Sequence, residues 1–260
     1  MRRRFLKGED DKWNYIKITF TVSTTTAQTA IISSDFAGSN QIDYITFNTP
    51  DHAIKYDFAT SYQFTVAGTR IGYIHFKPGA TSLANLFANI TVINEIDMNE
   101  LDTRYVTSTT GMCMGCTDLV QCLMSKCRAD NINSMVNMFN SCNKLKYVDF
   151  GSYISGNFKP TNKLTDIRNM FNWCTVITSI NMSMFDLSGV TEWGSTWANC
   201  KALTELYISS ALNQSGTYTT NIFDNSTATG AKVYYNAKYD MTKLINVKGS
   251  NWTFVTYNYG

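Results

Sequence analysis

KLTDIRNMFNWCTVITSINM, residues 163–182, changes its hydrophobic period midway. Leu164, Ile167, Met170, Phe171 and Cys174 fall at i, i+3, i+6, i+7 and i+10, the spacing of one helical face. Ile177 continues the stripe, and Ile180 and Met182 then alternate with polar residues, as in a half-buried strand. The segment predicts a short helical stretch, a turn and a short strand. A unit this small cannot bury its own apolar stripe, so it needs stacked neighbours.

The neighbours are present. MCMGC ends at Cys116, MFNSC at Cys142, MFNWC at Cys174 and TWANC at Cys200, at intervals of 26, 32 and 26 residues. One further step of 26 in each direction reaches LFANI, ending at Ile90, and IFDNS, ending at Ser226. The long interval contains a Gly-, Asn- and Pro-bearing loop, residues 151–162. Repeats at a fixed period mark a solenoid. The reading is about six rungs over residues 80–230, with Cys116, Cys142, Cys174, Cys200, Phe139, Phe171 and Trp197 as its structural core register.

The repeat accounts for most of the seven cysteines. Free Cys packs as a small hydrophobe, and Cys122 also falls on a core strand position. Cys113 and Cys127 are less constrained, so a zinc site with Cys116 and Cys122, or a set of disulfides, stands as the competing reading. The expectation is no metal and no cofactor.

The pattern MFxxC–xx–L–xx–[IVL]-x-[MFI], seen best in residues 163–193 and again in STWANCKALTELYIS, resembles the BspA-like leucine-rich repeats of bacterial surface proteins. The resemblance spans roughly residues 81–230. The Asp-Leu-Ser that usually follows the strand survives in fragments such as Asp186-Leu187-Ser188. It implies a leucine-rich-repeat-like solenoid and a surface-display role.

Outside the repeats the chain reads as β. Residues 15–22, 42–47, 62–66 and 72–76 alternate apolar and polar, which suggests a small β-sandwich over 13–79. Residues 231–260 supply Val233-Tyr234-Tyr235 and Trp252-Thr253-Phe254-Val255, a β cap on the open end. The fold class is therefore β-rich α+β: an N-terminal β-sandwich, a short leucine-rich-repeat-like solenoid and a β cap. Residues 1–12 form a basic-then-acidic arm, with Arg2, Arg3, Arg4 and Lys7 ahead of Glu9, Asp10 and Asp11.

The chain is 44% hydrophobic and 16% charged with a net charge of +2, enough to build a core but without the basic footprint of a nucleic-acid binder. No run approaches the roughly 18 apolar residues of a membrane span, which argues against membrane insertion. The acidic residues after the initial arginines occupy the place of a signal-peptide core, so no export signal is expected. The two histidines, His52 and His75, have no triad-like neighbours in sequence, and neither HExxH nor a phosphate loop occurs. The expectation is a non-enzymatic protein.

What remains is the outward side of each strand. One row holds Asp97, Leu123, Asp149, Asn181 and Tyr207, and a second holds Glu95, Gln121, Tyr147, Ser179 and Glu205. The candidate binding residues are Tyr147, Asp149, Asn181, Tyr207, Glu205 and Asp97, with the tyrosines as anchors; a merely solvated face is the competing reading. The functional expectation is a virion structural or receptor-binding protein of a bacteriophage, of tail or fibre type. In it the N-terminal part contacts other virion proteins, and the solenoid faces a host surface protein or glycan. The alternative is a bacterial cell-surface adhesin. Self-association into a homo-oligomer is compatible with either.

Overall fold

The computed structural model describes residues 14–25, 27–51, 54–151, 158–208, 210–217 and 219–257. The arm of residues 1–12 and His52 lie outside them. The strands run in chain order β1 (Tyr15–Val22), β2 (Thr29–Ala30), β3 (Ile42–Phe47), β4 (Ser61–Tyr62), β5 (Gly68–Phe76), β6 (Ile93–Asp97), β7 (Gln121–Leu123), β8 (Tyr147–Asp149), β9 (Ser179–Met182), β10 (Glu205–Ile208), β11 (Ala231–Tyr235) and β12 (Trp252–Thr256). The α-helix among the described residues is α1 (Thr242–Val247). The fold is thus β-rich with little helix, and its body is a solenoid of about five turns.

β6, β7 and β8 pair in parallel with Ile96 opposite Cys122 and Cys122 opposite Val148, so the 26-residue period is the rung-to-rung register. β9, β10, β11 and β12 form a second parallel sheet. On the opposite side of each turn a thinner parallel ladder runs Ser82, Ser108, Ser134, Asp166, Glu192 and Thr217. Apolar side chains from every rung meet between these two ladders in one continuous core, from Ile16 to Trp252.

The α-helical stretch expected in each rung is not there, and the last rung alone has a 3-10 turn, Thr220–Phe223, among the described residues. In its place are two successive tight turns, and the reason lies in the left-handed residues. Asn85, Gly111, Asn137, Asn169 and Ser195 form one column of positive φ; Asn89, Gly115, Ser141, Trp173, Asn199 and Asn225 form another, four residues further along each rung. Left-handed residues at that spacing interrupt a right-handed helix. The backbone bonds divide accordingly. Ala88 and Ile90 N–H groups close turns onto Asn85 and Phe87 carbonyls, whereas Asn85, Phe87 and Asn89 N–H groups reach Thr110, Met112 and Met114 on the next rung. Paired turns repeat apolar positions at three- and four-residue steps, as a helix does, which is why the periodicity read as helical. Asn and Gly, the residues that tolerate φ > 0, were the visible exception.

The N-terminal part contains three of the four expected strands, as β1, β3 and β5; of residues 62–66 only Tyr62 lies in a strand, the two-residue β4. β1 alternates cleanly, with Ile16, Ile18, Phe20 and Val22 buried. It pairs antiparallel with β5 on one side and with β6 on the other, with a register shift between Thr19 and Phe20. The sheet order is β3-β5-β1-β6-β7-β8, so the N-terminal strands share a sheet with the first three rungs. β2 and β4 make a separate two-stranded ribbon. At the other end Trp252 packs on Phe223, with ring centroids 4.8 Å apart.

Candidate recognition surface

The outward rows predicted from sequence fall into register. Asp97, Leu123 and Asp149 are direct neighbours across β6, β7 and β8, and Asn181 and Tyr207 across β9 and β10. Glu95, Gln121 and Tyr147 form the second row of the first sheet, and Ser179 and Glu205 that of the second. Tyr147 and Tyr207 therefore stand on different sheets rather than along one strand ladder.

Three of the candidate residues have a local duty. The Asp97 carboxylate accepts the Asn99 N–H at 3.0 Å, Asp149 that of Gly151 at 2.8 Å and the Asn181 amide oxygen that of Ser183 at 3.0 Å. These are Asx turns that bend the chain out of each strand. Part of the acceptor capacity of this row is spent on folding.

The tyrosines differ. Tyr147 is 52% exposed, and burial of the remainder, followed by the charge of Asp149, raises its phenol pKa. Tyr207 stacks on Tyr234 with centroids 4.7 Å apart and planes 13° from parallel. Tyr257 stands edge-on to both, at 6.2 Å from Tyr207 and 6.1 Å from Tyr234. The Tyr207 hydroxyl donates to Glu205 Oε2 at 3.2 Å, and burial, then Glu205, pushes its pKa up to about 12. The phenol stays protonated and donating. Lys232 and Thr253 flank the cluster in the neighbouring row. The sequence places both Tyr234 and Tyr257 in the cap, residues 231–260, and neither in the outward rows. Tyr234 sits one residue off the 26-residue step from Tyr207, which the parallel pairing absorbs.

This stacking of short parallel strands with paired left-handed turns has a counterpart among known sequences. The family model described as "Mycoplasma protein of unknown function, DUF285" matches residues 81–210 and again 152–251, together well over half of the chain. The chain belongs to this family. Neither a curated protein nor a solved structure matches it.

The DUF285 rungs also explain the cysteines. All seven are free and buried. Cys116, Cys142, Cys174 and Cys200 each donate their thiol to a carbonyl of the preceding rung: Phe87, Cys113, Phe139 and Phe171, at 3.0–3.1 Å. Each of those carbonyls also accepts the backbone N–H of its own turn, or lies in the same column of such turns. In the last rung the Ser226 hydroxyl takes the thiol's place, donating to the Trp197 carbonyl and accepting from the Cys200 N–H. Cys127 makes the same kind of bond to the Met98 carbonyl at 3.1 Å. Burial pushes the Cys113, Cys142 and Cys174 thiols far up and Cys200 to about 12. A thiol held protonated is a hydrogen-bond donor rather than a nucleophile. Among the described residues no group of three or more His, Cys, Asp or Glu side chains is arranged to hold a metal.

Phe139 and Phe171 stack in adjacent rungs at 5.4 Å, and Trp197 stacks on Phe223 at 5.1 Å. His75 lies buried on the N-terminal sheet, stacked on Tyr44 at 4.2 Å, with Nε2 3.2 Å from Thr46 Oγ1. Burial first, and Lys55 second, lower its pKa to about 4. It is neutral near pH 7, and the Thr46 hydroxyl beside it also donates to the Thr49 carbonyl at 2.9 Å.

Proposed function

We propose that this DUF285 chain is a non-catalytic recognition module, kin to the BspA-like repeats, that displays the outward face of its solenoid to a protein or glycan on another surface. The observation that carries the reading is the Tyr207–Tyr234–Tyr257 cluster. Three aromatic side chains are gathered on the outward face of a sheet, where the core gains nothing from them. Tyrosine supplies contact area at low entropic cost and is enriched in binding hot spots. Supporting it, the thiols are committed to the rung-to-rung frame and His75 to sheet packing, which leaves reactive groups turned inward.

A virion and a cell surface are both places for such a module. The cell-surface reading draws on the resemblance of residues 81–230 to the repeats of bacterial surface proteins. Peptides released by brief protease treatment of intact cells, set against mass spectrometry of purified phage particles, separate the two. The face itself is tested with Tyr207→Ala combined with Tyr147→Ala, using the labelled full chain on a glycan array and on intact cells by flow cytometry. The expected result is an unchanged circular dichroism spectrum and a binding signal weakened about tenfold or more. A folded double variant that binds like the parent returns the ladder to an ordinary solvated face.

A further inference from the structure

The second left-handed column contains one residue that does not belong there on conformational grounds. Asn89, Gly115, Ser141, Asn199 and Asn225 are small or amide residues that enter positive φ readily; Trp173, at φ 63°, is neither. A bulky side chain in this region is a strained choice that persists where something other than folding requires it. Folding gains little here. The Trp173 side chain is 45% exposed, and its indole takes part in no ring contact among the described residues. Val176, on the same turn, is 39% exposed. The other tryptophans described, Trp193, Trp197 and Trp252, are fully buried.

Beside this indole runs a line of amides. Asn225 Nδ2 donates to Asn199 Oδ1 at 3.0 Å, Asn199 Nδ2 to Asn172 Oδ1 at 2.9 Å and Asn172 Nδ2 to Asn169 Oδ1 at 3.4 Å. The Trp173 N–H bonds the Ala198 carbonyl, which sets Asn199 directly on the next rung. Each amide in the middle of the line uses one N–H and one lone pair, and keeps one of each. Ser141 completes the surroundings on the rung before, and Thr175 on the same turn. Lys144, also on the rung before, is held by Asp118 at 2.7 Å.

The geometry points to a carbohydrate subsite on the turn side of the solenoid, with the Trp173 indole as the platform for the apolar face of a neutral sugar and the Asn172–Asn199 amides as partners for its hydroxyls. A sugar hydroxyl both donates and accepts, and an amide with one donor and one acceptor left meets both needs. A flat ring face with C–H groups matches an exposed indole better than a charged or fully apolar ligand would. The site lies on the turns, away from the strand face carrying Tyr207, so it stands or falls independently of that face.

The test uses the full chain and four neutral hexasaccharides: cellohexaose, maltohexaose, chitohexaose and mannohexaose. Tryptophan emission and saturation-transfer NMR are followed during titration, with anionic phosphatidylglycerol vesicles as a separate arm. The expected result is a saturable response to at least one oligosaccharide, with a dissociation constant on the order of 0.1–1 mM as befits a small ligand on an open surface. Trp173→Ala and Trp173→Asn both weaken it about tenfold or more. Trp173→Asn also unfolds at the parent's temperature or above, because Asn suits the left-handed position. Val66→Ala, at an exposed position in the N-terminal part, leaves this binding unchanged. No saturable response to any of the four sugars overturns the proposal. So does a Trp173→Asn variant that melts lower than the parent, which makes the indole structural, or binding confined to the vesicles.

Discussion

Replacing the thiol of Cys174 separates two explanations of the cysteine column, a donor and a space-filler. Cys174→Ala removes one fully buried sulfur and the Sγ–H bond to the Phe139 carbonyl at 3.1 Å. That carbonyl keeps the Cys142 N–H, also at 3.1 Å, so no buried acceptor is orphaned. The penalty of about 1–3 kcal/mol for an unsatisfied buried group is therefore absent. What remains is a small truncation, about 1–2 kcal/mol. Cys174→Ser keeps a donor on a shorter bond, and Ser226 shows a hydroxyl making the equivalent bond one column-end away. If donation matters, Ser is at least as stable as Ala, within about 1 kcal/mol of the parent. If the sulfur only fills space, Ser is the worse of the two, because it buries a polar group for nothing. Urea unfolding followed by far-UV circular dichroism and by tryptophan emission measures both, provided the two probes coincide. A Ser variant clearly less stable than Ala, an Ala cost above about 4 kcal/mol, or stoichiometric zinc on the parent protein would refute the donor account.

Phe171→Ala, which deletes a fully buried ring stacked on Phe139 and edge-on to Phe150, is expected to cost about 3–5 kcal/mol in the same urea assay. Gly115→Ala places a Cβ at positive φ and against Asn89 Oδ1, so it should destabilise by about 1–3 kcal/mol, whereas Gly230→Ala, with the same sign of φ and open space around it, should cost less. His75, with a folded pKa of about 4 against the ordinary 6.5, favours the folded state fully above pH 6.5 and loses that contribution as the pH falls to about 4. The loss is about 3 kcal/mol, and it shows as a difference in the pH dependence of the urea midpoint between the parent and His75→Phe; parallel profiles would contradict it.

The parts of the fold legible in the sequence are those that repeat. The 26-residue step fixed which residues of β6, β7 and β8 face one another, and of β9 and β10, because the parallel register is the period itself. The arcs between strands were misread, since paired turns and a helix place Leu164, Ile167, Phe171 and Cys174 on one side alike; only Asn137, Asn169 and their column-mates, read for their tolerance of positive φ, distinguish the two. The joining of β1 to β6 was not legible, because antiparallel pairing between distant segments leaves no periodic trace. For the candidate surface, Tyr207 and Glu205 could be placed by counting, whereas Tyr234 and Tyr257 could not, as the last strands leave the period. Nor did composition suggest that Asp97, Asp149 and Asn181 turn part of their polar capacity back onto the chain.

The placing of β1 bears on how such a chain can lengthen. The first rung is flanked by a strand running the opposite way, so another parallel rung cannot be laid against it from outside. Growth by duplication of a 26-residue unit is therefore closed at this edge; within the array the incoming copy finds the same two columns of left-handed residues and the same thiol acceptor on the rung beneath it. Sequence drift along a lineage should accordingly be greatest in the number of middle units, while the N-terminal strands and the rung they abut change together.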